Sequence, residues 1–130
     1  MILARFFLLL NGCLMLALGC AFLAAPQLLF GLLTGVEFQG TRGWIDLRAT
    51  YGGLSAGVGI WLLLTVRLQQ WVPVGLMGLV CVYGAFAVGR AAGMVAEGTM
   101  DLLMMIMLLV EVLLAVAGAL LLWHVRRRED

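Results

Sequence analysis

The chain has 130 residues, of which 65% are hydrophobic and 12% charged, whereas about a quarter of an ordinary soluble domain is charged. Its formal net charge of +1 offers no basic surface for a nucleic acid. These totals exclude a water-soluble globule and a nucleic-acid-binding protein, and they predict a chain whose main solvent is the lipid bilayer.

Four long apolar segments account for most of the chain. A bilayer core takes about 20 helical residues per crossing, and backbone groups cannot stay unpaired in lipid, so each segment should be a helix. The sequence therefore predicts an all-α polytopic membrane protein, a four-transmembrane-helix bundle that forms one domain over residues 1–130. The predicted helices cover about residues 2–25, 44–66, 71–89 and 102–123.

The connections are short. The first one, residues 26–43, starts with "PQLLFGLLTG", which favours a short helix or turn in the membrane interface. "RLQQ" predicts a tight turn, and "RAAGMVAEGTMD" predicts a mildly polar loop. We expect the first helix to be retained rather than cleaved as a signal peptide, because its apolar run continues past Cys20.

The arginines predict the orientation. Cytoplasmic loops of membrane proteins carry the excess of positive charge. Three arginines fall on one side of the predicted bundle, at positions 42, 48 and 90, and five on the other, at 5, 67 and 126–128. The sequence therefore predicts a multi-pass protein of the cell inner (plasma) membrane with both termini cytoplasmic.

The second apolar segment gathers its polar and smallest side chains on one helical face. This predicted face points into the bundle. Beside it, Gly53 and Gly57 form a GxxxG pair, which permits close approach of a neighbouring helix. With Gly52, they are the predicted helix-packing residues. The face reads Trp44, Arg48, Tyr51, Gly52, Ser55, Gly59.

The fourth segment carries one carboxylate deep in its apolar run. Glu111 is nine residues from Leu102, or about 14 Å at 1.5 Å per residue. An ionised group at this depth costs at least ~2.5 kcal/mol, and pairing with Arg48 would offset that cost. The sequence predicts a polar cluster in the outer half of the bundle, with Asn11 and Ser55 beneath it and Asp46 and Asp101 at its rim. Its main members are Arg48, Tyr51, Tyr83, Arg90 and Glu111.

The sequence contains few residues that suit catalysis or metal binding. The single histidine, His124, lies beside arginines at a membrane edge, and Ser55, the single serine, has no histidine near it. Cys13, Cys20 and Cys81 lie in apolar runs and suit packing. We therefore expect no metal, no cofactor and no enzymatic activity.

The combination of these motifs resembles a bacterial family of small membrane proteins, the domain of unknown function 4345. The resemblance rests on R-A-x-Y-G-G at residues 48–53, on "GR" ending at Arg90, on the loop "AEGTMD" and on Glu111. It covers nearly the whole chain. It implies four membrane helices and no known activity.

Three functions stay open at this level. The polar cluster suits a non-enzymatic protein that binds a lipid-like small molecule by its head group. Alternatively, Glu111 could serve a small proton-coupled transporter. The glycine pair would suit a structural subunit that contacts a second copy or another membrane protein. A purely structural ion pair is an equally simple reading of the charges.

Overall fold

The computed structural model describes residues 1–35 and 40–127, and this part of the chain is helical throughout, without strands. "VEFQ" of the first connection and Arg128 of the predicted cytoplasmic tail lie outside it. The elements are α1 (Ile2–Ala24), α2 (Pro26–Thr34), α3 (Thr41–Leu47), a π-helix (Arg48–Leu54), α4 (Ser55–Arg67), a 3-10 turn (Gln69–Trp71), α5 (Val72–Glu97) and α6 (Leu102–Arg126).

Four continuous helical stretches are long and apolar enough to cross a membrane. Their lengths of 23 to 29 residues exceed the ~20 residues that one crossing takes. The predicted all-α fold with four membrane-spanning helices is therefore confirmed. The stretches are Ile2–Ala24, Thr41–Arg67, Gln69–Glu97 and Leu102–Arg126.

The third stretch is longer than predicted. We expected it to end at residue 89, but α5 continues to Glu97, because "AAGMVAE" contains good helix formers. Gly98 ends it with a φ of +62°, a conformation that glycine adopts without a steric penalty. Asp101 then caps α6 by accepting hydrogen bonds from the amides of Leu103 and Met104. The predicted polar loop is thus reduced to residues 98–101.

The predicted turn or helix after α1 is α2. Pro26 begins it at a position where the missing amide hydrogen costs nothing, and Gly35 ends it with a φ of +68°. Leu28 and Leu32, one turn apart, are both exposed. The ring of Phe30 in α2 meets Trp44 of α3 edge to face, with 6.4 Å between the centroids. A short apolar helix therefore follows the first membrane span.

The chain divides into two compact units. The first contains residues 1–8 together with α5 and α6. The four-residue connection makes α5 and α6 an antiparallel hairpin. The buried positions of α6, Glu111, Gly118 and Val125, recur every seven residues and so form a single stripe along the helix. Apolar residues fill that stripe except at Glu111.

The second unit contains residues 9–67. Here α1 packs closely on the π-helix and α4 through glycines of both partners. A Cβ added at Gly59 would lie 2.5 Å from the amide nitrogen of Leu16, and one added at Gly52 would lie 2.8 Å from the Leu23 side chain. Small residues let membrane helices approach to backbone contact. Of the predicted packing glycines, Gly52 therefore has this role.

Within this unit, the other two predicted packing glycines make no such close approach. A Cβ at Gly57 would meet nothing within 4 Å, and one at Gly53 would reach only the Arg48 carbonyl, at 3.9 Å. The GxxxG pair thus lies off the packed face. The close contact falls instead on the stripe of Gly52 and Gly59, seven residues apart.

Candidate functional site

The centre of the candidate site is an ion pair between Arg90 of α5 and Glu111 of α6. The guanidinium engages both carboxylate oxygens. Arg90 Nη2 donates to Glu111 Oε1 at 2.6 Å, and Nε donates to Oε2 at 3.0 Å and to Oε1 at 3.2 Å. A fork-to-fork pair of this kind fixes orientation as well as charge. Glu111 is therefore held by a geometrically specific partner.

The antiparallel hairpin explains why these two residues meet. Side chains of a helix lean towards its N-terminus. From Arg90 that direction runs away from the connection at residues 98–101, whereas from Glu111 it runs towards the connection. Arg90 is seven residues from the end of α5, and Glu111 is nine from the start of α6. The two side chains consequently converge at one level of the hairpin.

Two further side chains complete this polar centre, which we define as Tyr83, Arg90, Met104 and Glu111. Tyr83 is buried on α5 and precedes Arg90 by seven residues, so both lie on one face of the helix. Arg90 Nη1 donates to the Met104 thioether at 3.3 Å. Met104 precedes Glu111 by seven residues, so both lie on one stripe of α6.

Arg48 was the predicted partner of Glu111, and here the structure differs. The carboxylate pairs with Arg90, while Arg48 and Tyr51 belong to the other unit and are both exposed. Tyr51 stacks at a tilt on Phe22, with 5.4 Å between the ring centroids. The structure therefore brings together Tyr83, Arg90 and Glu111 from the predicted cluster.

The π-helix is the physical reason for the position of Arg48. A π-helix bonds residues five apart instead of four, so a side chain returns to the same face one residue later. Leu47 and Gly52, five apart, are the buried residues across this segment. An uninterrupted α-helix would have placed Arg48 on the face of Gly52. The bulged register puts Leu47 there and turns Arg48 outward.

The hydroxyl of Thr50 hydrogen-bonds to the backbone of the preceding turn. Thr50 Oγ1 donates to the carbonyl oxygen of Asp46, one α-helical turn before it. Threonine side chains commonly satisfy carbonyls in this way within helices. Asp46 itself is exposed in α3.

The displaced GxxxG pair borders an open groove of about 510 Å³ on the same helical stretch. The two glycines and Trp61 are among the residues that line it. The remaining predicted neighbours of the cluster are differently placed. Asn11 is fully buried in α1, and Ser55 is half-buried at the start of α4. Asp101, predicted at the rim, acts as the cap of α6.

Met104 is the member that the sequence reasoning missed. From the sequence alone, the methionines of "LLMMIML" are most simply core or lipid-facing residues. The available signal was its spacing of seven residues before Glu111, which puts a polarisable sulfur on the stripe of the carboxylate.

The fold and the polar centre define a class: an all-α protein with four helices long and apolar enough to span a membrane and a partly buried ion pair inside one helical hairpin. The family model described as "Domain of unknown function (DUF4345)" matches residues 3–124, and the chain belongs to this family. No curated protein and no solved structure gives a significant match.

Proposed function

We propose that this protein is a non-enzymatic integral protein of the bacterial inner membrane that binds the head group of a lipid-like molecule at its polar centre. Both termini are cytoplasmic in this proposal, as the arginine distribution favours. The observation that carries it is the bidentate pair of Arg90 and Glu111 on an otherwise apolar hairpin.

Stability alone is a weak reason for such a pair. Buried ion pairs can often be replaced by apolar residues without loss of stability, since desolvation offsets their attraction. Ionisable residues within membrane spans are accordingly candidates for function. A tyrosine, a guanidinium and a carboxylate beside apolar helix surface suit a molecule with a polar head and an apolar tail.

Proton-coupled transport fits this geometry less well. A carboxylate that exchanges protons or binds a cationic substrate needs an accessible oxygen. Both oxygens of Glu111 are engaged by Arg90, and the Glu111 side chain is only 8% exposed. The pairing therefore favours a binding protein over a carrier that uses this residue.

Native mass spectrometry of the protein in mild detergent tests the proposal. We expect a discrete bound mass on the wild type that Arg90→Gln and Glu111→Gln lose while circular dichroism still reports folded helices. Arg48→Gln is the matched control, because it removes an exposed arginine of the other unit. Retention of the bound mass by Arg90→Gln, or absence of any such mass on the wild type, would contradict the proposal.

A further inference from the structure

The two charges of the polar centre are unequally accessible. The Arg90 side chain is 21% exposed, whereas that of Glu111 is 8% exposed. Arg90 is therefore the more accessible member of the pair. A ligand that reaches the pair would contact Arg90 more readily than Glu111, which favours an anionic group.

The guanidinium also has a replaceable contact. Arg90 uses Nε and Nη2 for Glu111, and its Nη1 donates to the thioether of Met104. A thioether is a weak acceptor. An oxyanion in its place would form a charge-assisted hydrogen bond, and the planar arginine fork matches phosphate and carboxylate geometry.

The backbone of Arg90 lies near one boundary of the hydrocarbon core, so a lipid head group has to reach just below that boundary to contact the guanidinium. The span Gln69–Glu97 has 29 residues, or about 43 Å at 1.5 Å per residue, whereas the hydrocarbon core is about 30 Å thick. An upright, centred helix thus extends about 6 Å beyond each boundary. Arg90 lies about 10 Å from the α5 end, which places its backbone about 4 Å inside a boundary, and its side chain leans further inward along α5.

We propose that the ligand head group is a phosphate-type oxyanion carried by a lipid and bound by Arg90, with Met104 displaced from Nη1. This inference rests on the proposed function and narrows its ligand class. Glu111 keeps the guanidinium oriented, and Tyr83 is buried on the same helix as Arg90. The apolar surface of the hairpin accommodates the lipid chains.

A matched pair of lipids tests the role of charge. Dioctanoyl phosphatidic acid and dioctanoylglycerol have the same chains and differ only in the phosphate. We expect the wild type in detergent to bind the phosphatidic acid at least about tenfold more tightly, as a single charge-assisted contact would provide. Arg90→Gln should abolish this preference, and Arg48→Gln should keep it.

The outcomes separate this inference from the proposed function. If the wild type binds both lipids equally and Arg90→Gln binds neither, the lipid-binding site is supported. The proposal of an anionic head group is then overturned. Absence of binding by either lipid would overturn both. If sodium phosphate competes as strongly as the phosphatidic acid binds, Arg90 binds an oxyanion, but the proposal that a lipid carries this oxyanion is overturned. If Arg90→Gln fails to fold, the double variant Arg90→Gln/Glu111→Gln, which leaves no unpaired charge, replaces it.

Discussion

Arg90 and Glu111 are 21 residues apart in the chain, and the guanidinium of one holds both carboxylate oxygens of the other across the α5–α6 hairpin. The pair connects two consecutive helices that a four-residue connection already joins. Its formation therefore needs only a local hairpin. This relationship sets the energetics that follow from altering either residue.

Removal of one charge should destabilise the protein more than removal of both. Arg90→Gln and Glu111→Gln each strand a buried or half-buried charge, and we expect losses of about 3 kcal/mol each. The double variant should cost clearly less than the sum, with a coupling free energy of at least about 1 kcal/mol. Equilibrium unfolding in mixed detergent micelles measures all four states. Strictly additive losses would show that the two side chains do not interact.

Two glycines two residues apart should respond oppositely to alanine. A Cβ at Gly59 would collide with the α1 backbone at Leu16, so we expect Gly59→Ala to lose about 1–3 kcal/mol. Gly57→Ala adds its methyl group to open space and should be neutral or stabilising by up to about 1 kcal/mol. Thermal unfolding in detergent measures both. The reverse order would mean that α1 packs on the GxxxG face instead.

Deletion of one residue from the π-helix should be tolerated. Without Ala49, Leu47 and Gly52 become four residues apart, and an ordinary α-helix keeps both on the packed face. Deletion of Ile60 is the control, because it shifts Leu62 and Thr65 off the buried face that they share with Gly59. We expect the first variant to express as folded monodisperse protein and the second to aggregate. Aggregation of both would contradict the register described for residues 48–54.

The proposed orientation predicts where engineered thiols react. Gln70→Cys and Thr99→Cys lie in the connections at opposite ends of α5. In a background in which the native cysteines are replaced by alanine, a membrane-impermeant maleimide should label Thr99→Cys in intact spheroplasts. Gln70→Cys should become labelled only in inverted vesicles. Opposite labelling would reverse the topology, and equal labelling on both sides would argue against a membrane-spanning α5.

The sequence made the helices predictable because lipid imposes a long apolar run on each crossing. It also identified Glu111, since no other charge occurs between Leu102 and Arg126. The sequence did not reveal the C-terminal part of α5, because Arg90 resembles a span end, although the alanines after it continue the helix to Glu97.

Helical periodicity alone could not identify the partner of Glu111. Arg48 and Arg90 are both placed near the same predicted end of their helices, and composition does not distinguish them. The exposure of Arg48 depends on a one-residue change of register at Leu47 and Gly52. A π-helix leaves no period of its own in so short a segment, so a uniform helical wheel turns Arg48 to the wrong face.

The location of the ion pair within one hairpin also bears on how the chain enters its membrane. A lone arginine or glutamate that partitions from the translocon meets a penalty of a few kcal/mol. Because α5 and α6 are consecutive and closely joined, the two charges can neutralise each other as soon as α6 has been synthesised. We therefore expect α5 and α6 to insert together as a hairpin, so that neither helix enters the lipid with an unpaired charge.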